Sequence, residues 1–337
     1  MTVADLIAGI LWVALTAYAV LAGADFGGGV WDVLARGPRA GEQRRAIADA
    51  MGPVWEANHV WLIFMITGLF TAFPAAFGAL AGALYIPFTI ALLGIVLRGA
   101  AFAFRAHGAE VAGPLSAWGV VFGSASIVTP VFLGAALAAA AGGYITVSGG
   151  RLTSDFYAGW ATPLGAVIGL FALAVCAYLA ATYLTVETED RPELQADFRR
   201  RALVAGLVAG ALALLALPAA GLQAPRLLDS LTGRGLPLFL PALVNGPLAL
   251  WAVWRGRPRL GRMAVVAQVV LVLWALALGQ WPYLVPPSLT ISGSAAPAAT
   301  LNAMLVVVAA GGALLLPSLW LLFRVFKARN PAAAVEH

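Results

Sequence analysis

From Leu6 to Leu34 the chain is apolar apart from two acids, Asp25 and Asp32, and stretches of comparable length recur to the end of the sequence. Crossing a bilayer takes about 20 apolar residues, and backbone polar groups inside lipid must bond within their own segment, which leaves the helix as the available form. Nine stretches meet that length: residues 5–34, 46–73, 77–104, 113–141, 157–186, 199–221, 236–254, 262–281 and 301–327. They predict an all-α polytopic membrane protein, a single integral membrane domain over residues 1–337. Eight of the helices would suit two four-helix bundles, with the ninth peripheral. Composition agrees: with 62% hydrophobic and 10% charged residues and a mean hydropathy of +0.91, the apolar surface cannot all be hidden in one globular core. The opening MTVADL lacks a basic n-region and a small-residue cleavage site, and the first apolar run is too long for a signal peptide, so helix one is expected to be retained.

Charge supplies the orientation. Of the 20 basic residues, 17 fall in one alternating set of ends and loops: Arg36 to Arg45, Arg98 and Arg105, Arg191 to Arg201, Arg255 to Arg262, and Arg324 to Arg329. The opposite set holds Arg151, Arg226 and Arg234. The positive-inside rule then places the N-terminus outside and the C-terminus in the cytoplasm. Dispersed clusters of this kind are topology signals and not a nucleic-acid-binding stripe. The outer loops "AAGGYITVSGG" and "VPPSLTISGSAAPAAT" read as turns and coil.

The acids of the first hairpin are the chemically informative residues. Asp25 lies eleven residues before Arg36, and Glu56 eleven after Arg45, so both should sit roughly 16 Å below the same surface. Asp32 and Asp49 each lie four residues from those arginines, near the cytoplasmic opening. Each helix thus carries two acids seven residues apart, on one face. Gly52 and Pro53 could instead begin a fresh helix, leaving 42–51 as an interfacial segment with Glu56 shallower. A carboxylate at the middle of a bilayer costs about 2.5–3.5 kcal/mol on insertion scales, and such groups usually mark proton or ion routes. Desolvation favours the protonated form of an unpaired carboxyl, which suits it to hold and pass a proton. Two readings follow. Asp25 and Glu56 line a proton path, or Arg98, roughly 10 Å inward of Arg105, pairs with Asp25 or Asp32 as a structural counter-ion. Asp32 and Asp49 also read as solvated helix-end charges.

Other residues narrow the chemistry. Of the histidines, His107 falls in a cytoplasmic loop and His337 ends the chain, which leaves His59 at membrane depth, three residues after Glu56. A bis-His haem needs two histidines at one level and a metal site needs convergent donors, so neither cofactor nor metal is expected on this chain. His59 reads as a proton-handling or hydrogen-bonded structural group. Trp55 and Trp61 bracket Glu56 and Asn58 and read as packing or interface rings, while Gln280, Trp281 and Tyr283 suit an aromatic belt. The lone Cys176 reads as a small buried hydrophobe. Gly23 and Gly27 have the small-xxx-small spacing for close helix approach.

"GADFGGGVW", "RRAIADAMGPVWEANHVWLI", "FTAFP", "ALYIPFTIALLGIVLRGAAFAFR" and "QWPYLVPPS" together resemble subunit II of the cytochrome bd-type quinol oxidases, including the cyanide-insensitive branch. The specific element is W-[DE]-x-N-x-V-W, Trp55 to Trp61, behind a glycine-rich acidic helix; the resemblance is strongest over residues 1–105. It implies a heterodimer with subunit I, each subunit built as two four-helix bundles plus one helix, in a bacterial cytoplasmic membrane. Subunit I would bind haems b and d and oxidise quinol while dioxygen is reduced to water. Subunit II would be haem-free, support subunit I and help deliver cytoplasmic protons. By the same resemblance Asp25 and Glu56 take the places of the family's acids, and Arg98 that of its basic residue at the inner end of helix three. His59 departs from the pattern, standing where Gln or Glu is more usual. Some members hold a structural quinone in this subunit, and some complexes add a small single-helix subunit.

Two other classes compete. A proton-coupled secondary transporter would use the same acids but usually shows interrupted helices in paired halves, of which Gly52-Pro53 is the one candidate. A purely structural membrane partner would pair its acids with Arg98.

Overall fold

The computed structural model describes the backbone of residues 2–106, 117–157 and 159–327, and the side chains within them except 51–57, 105–106, 315–316, 319–320 and 322–327. Its spine is α1, Val3–Val33, started by a capping box in which the Thr2 hydroxyl accepts from the Asp5 N–H while the Asp5 carboxylate accepts from the Thr2 N–H. Every residue from Ala22 to Asp32 is buried. The glycines account for that: a Cβ on Gly27 would collide with the Cys176 carbonyl and the Ala180 methyl, and one on Gly29 with Ser126. The expected close helix approach is therefore made by α1 against the helices that carry Ser126 and Cys176.

α2 runs unbroken over Ala40–Ala72, so Gly52-Pro53 does not start a new helix. It ends at Phe73, which is fully buried; Pro74 then opens α3, Pro74–Ala83, bent 119° from the preceding helix. The third expected span, 77–104, is accordingly split at buried Leu84 into the end of α3 and α4, Tyr85–Ala106. α5, α6 and α7 follow as Ala117–Ala141, Pro163–Glu187 and Pro192–Gln223. After the short α8, Pro225–Thr232, come α9, Leu236–Trp254, and α10, Pro258–Gln280. The four-residue α11, Ile291–Ser294, precedes α12, Ala298–Lys327. The two loops expected as turns and coil are more ordered than that: β1 (Val147–Ser148) pairs with β2 (Arg151–Leu152), and β3 (Tyr283–Val285) with β4 (Leu289–Thr290), both antiparallel.

Among the described residues, seven helices are long and apolar enough to cross a membrane, or eight if the α2–α3 pair counts as one broken span. α1, α2, α4 and α5 pack as one four-helix group and α6, α7, α9 and α10 as another, joined where α6 meets α1 and α5. The buried core is rich in alanine, and the large apolar side chains Val60, Leu92, Leu214, Val244 and Val306 point outward, as they should where lipid and not water is the surrounding solvent. The arginine-rich connections gather at one end. There Arg39 bonds Glu193 and Asp197 across the two groups, and Arg201 bonds Gln43.

Candidate functional site

Asp25 and Arg98 meet in the first bundle. The guanidinium grips the carboxylate with two N–H groups, Nη1 to Oδ2 at 2.5 Å and Nη2 to Oδ1 at 2.6 Å, and Nη2 also donates to the Asp25 carbonyl at 2.8 Å. Both side chains are almost fully buried. Nε donates to the Ser126 hydroxyl at 2.9 Å, and that hydroxyl donates to the Phe122 carbonyl at 2.7 Å. The rings of Phe122 and Phe26 lie 4.6 and 5.2 Å from the guanidinium carbon, close enough for their faces to attract a cation. Pro130, four residues after Ser126, lacks the N–H that would bond the Ser126 carbonyl, so α5 has its local irregularity where it touches Arg98. Of the two partners open to Arg98, the fold selects Asp25.

Beside this pair is a small cavity lined by Tyr18, Ala22, Asp25, Phe26, Asn58, His59, Ile95 and Arg98. Its volume of about 10 Å³ is the lower bound for a water centre. Asn58 is 1% exposed, yet among the described residues neither its amide nitrogen nor its amide oxygen has a hydrogen-bond partner. A buried amide left unpaired costs about 1–3 kcal/mol per group, so the cavity is chemically disposed to hold a water between Asn58 and the charge pair. Across this cavity Asp25 of α1 faces Asn58 and His59 of α2.

The remaining candidates are distributed as follows. Asp32 is 2% exposed, so it is not a solvated helix-end charge, whereas Asp49 is exposed. His59 is half-buried on the cavity wall. Trp61 packs on the cluster of Tyr18, Ala22, Phe26 and Cys176 and does not line the cavity. The side chains of Glu56 and Trp55, and residues His107 and His337, lie outside the described residues. Gln280 is buried and Trp281 and Tyr283 are exposed at the C-terminal end of α10. Sequence reasoning missed Tyr18 and Ser126. Tyr18 stands seven residues before Asp25, on the same face, which was a usable signal; Ser126 had only its offset from Pro130.

Among the described residues no three of His, Cys, Asp and Glu gather into a metal-holding group.

Against known proteins, residues 3–326 match the family Cytochrome bd terminal oxidase subunit II. The chain belongs to that family. A Bacillus subtilis (strain 168) relative, assigned as a cytochrome bd menaquinol oxidase subunit II, is 23% identical over 333 residues, 94% of this chain and 93% of that protein. Cytochrome bd-I ubiquinol oxidase subunit 2 of Escherichia coli (strain K12) is 28% identical over 201 residues, 58% of this chain and 51% of that protein. The bd oxidase structure from Geobacillus thermodenitrificans matches with a TM-score of 0.75 at 24% identity, covering 98% of this chain and 100% of that one; this likeness is one of fold. Its relatives are subunits II of bacterial cytochrome bd quinol oxidases, and the apolar helices of this chain fit a multi-pass membrane protein.

Proposed function

We propose that this chain is the haem-free subunit II of a complex that oxidises quinol and reduces dioxygen to water. In this reading it forms one integral membrane domain of nine spans, N-terminus outside, braces the subunit I that carries haems b and d, and guides protons inward from the cytoplasm. Family membership supports the oxidase and displaces the transporter reading. A small single-helix subunit and a structural quinone remain compatible with this assembly.

The observation that carries the proton role is the water-sized cavity between the Asp25–Arg98 pair and the unpartnered amide of Asn58. Arg98 engages both carboxylate oxygens, so Asp25 serves first to hold the guanidinium and border the cavity. Each oxygen keeps lone-pair capacity for a water. Asp49 and Asp32 would collect protons at the cytoplasmic end, and Glu56 and His59, three residues apart on α2, would pass them to the cavity water.

Replacing Glu56 by Gln in the intact oxidase is expected to slow oxygen consumption about tenfold or more, equivalent to about 1.4 kcal/mol of added barrier, with haem content retained. Unchanged turnover in both Glu56→Gln and Asp25→Asn enzymes would reduce these acids to architecture.

A further inference from the structure

α9 ends at Trp254 and α10 begins at Pro258, with Gly256 taking a positive φ of 68° to reverse the chain. Arg199 of α7 fastens this turn, donating Nε to the Val253 carbonyl at 2.9 Å and Nη2 to the Trp254 carbonyl. Four further arginines crowd the corner, and they are not equivalent. Arg259 and Arg262 face the α6–α7 turn and meet carboxylates, Glu189 at 3.0 Å and Glu187 at 3.8 Å. Arg255 and Arg257 lie instead over indole rings. Their guanidinium carbons each lie 5.3 Å from an indole centre, Trp254 and Trp251 respectively, and among the described residues no carboxylate pairs with either.

Both indoles are exposed, Trp254 at 58% and Trp251 at 39%. Below Trp251, Leu248 and Val244 continue the same face of α9 at helical spacing, and both are also exposed. On the neighbouring α7, exposed Val204 and Val208 run in the same way beneath exposed Arg200. An apolar stripe that ends in indole rings and then in unneutralised guanidinium groups has the order of chemistries found in a phospholipid: acyl chain, interfacial zone, phosphodiester. Indoles favour headgroup depth, and the arginine fork matches phosphate oxygens. A zwitterionic headgroup would bring its own ammonium against this cluster, so charge complementarity selects a lipid of net negative charge.

We propose that the α7–α9–α10 corner is a binding site for an anionic phospholipid, its phosphodiester held by Arg255 and Arg257 and its chains lying along Val244, Leu248 and Trp251. The site needs a bilayer surface at this end of the bundle and does not depend on the proton-path reading.

The test is lipid retention by the intact two-subunit oxidase, purified in detergent, exposed to phosphatidylglycerol or phosphatidylcholine and weighed by native mass spectrometry. Wild-type complex is expected to retain phosphatidylglycerol selectively, and inorganic phosphate should not displace it. The Arg255→Gln/Arg257→Gln complex should bind it about thirtyfold more weakly, while Arg259→Gln/Arg262→Gln should bind as wild type. Equal retention of both lipids, unaltered retention in the first double variant, or displacement by free phosphate would overturn the proposal. If that variant fails to assemble, the wild-type thermal midpoint decides, because phosphatidylglycerol should raise it above its value in phosphatidylcholine and equal midpoints overturn the site. A photoreactive group in place of Trp254 should capture lipid; capture of subunit I or of a second copy of this chain would show a protein interface there instead.

Discussion

At the scale of single residues, the Asp25–Arg98 pair decides most. Two charged groups withdrawn from solvent tolerate each other because each supplies what the other lacks, so removing one partner is worse than removing both. Asp25→Asn or Arg98→Met alone should destabilise the subunit by about 3–5 kcal/mol, and the double variant by less than the sum. Thermal melts of the purified complex would check the cycle, and additive losses would mean the two do not act as a unit. Asn58 gives a separate prediction. Asn58→Leu fills the cavity and removes both orphaned amide groups; if a water occupies the cavity, turnover should slow and stability should not rise. A gain of about 1–3 kcal/mol with normal oxygen consumption would mark the cavity as dry.

At the scale of elements, the crossing of α1 on α6 has almost no tolerance, because backbone meets backbone where side chains would normally intervene. Gly27→Ala should cost about 1–3 kcal/mol through overpacking and lower the yield of assembled oxidase. Gly9→Ala on the same helix, where a Cβ meets nothing within 4 Å, should be neutral or slightly stabilising, and comparing the two yields separates crossing geometry from helix propensity. At the other end of the hairpin, Arg39 bonds Asp197 through Nε and Nη2 at 2.9 and 2.8 Å, and Gln43 adds a third bond to the same carboxylate. The Asp197 carboxylate holds the exposed Arg39 guanidinium protonated well above its ordinary range. Its effect is local: Arg39→Ala should speed hydrogen exchange over residues 40–50, more so at low salt, where such pairs are least screened, and leave α5 and α6 unchanged.

For the whole molecule, the two four-helix groups bring the arginine-rich connections to one end and both β-hairpins to the other. Cysteine labelling from either side of sealed vesicles would check the proposed orientation. Ser148→Cys in the first hairpin should react from outside and Asp190→Cys between α6 and α7 from the cytoplasm, with Cys176 silent because it is buried; the reverse pattern would invert the topology. Much of this architecture was readable in advance. Residues 236–254 were expected as a helix and α9 occupies them, because Gly235 and the Arg255-Gly256 turn punctuate the chain on both sides. The division of 77–104 at Leu84 was not readable, since PAAFGALAGA is as apolar as the helix that follows and what bends the chain is the burial of Phe73 and Leu84 against other elements. The β1–β2 hairpin carried its own signal, Gly149-Gly150 between short extended segments, which loop composition obscured.

Hydropathy and charge alternation, both properties of contiguous stretches, determined from the sequence alone that this is a membrane-embedded helical chain with acids sunk in its first hairpin. Arg98 could have met Asp25 or Asp32, and Asp32 could have been solvated. Which carboxylate the guanidinium grips and, among the described residues, that Asn58 is left unpartnered beside it and that Arg255 and Arg257 lack the carboxylates their neighbours have, were decided only by tertiary structure. The reason is that pairing depends on distances between helices, and the spacing of residues along one helix does not contain them.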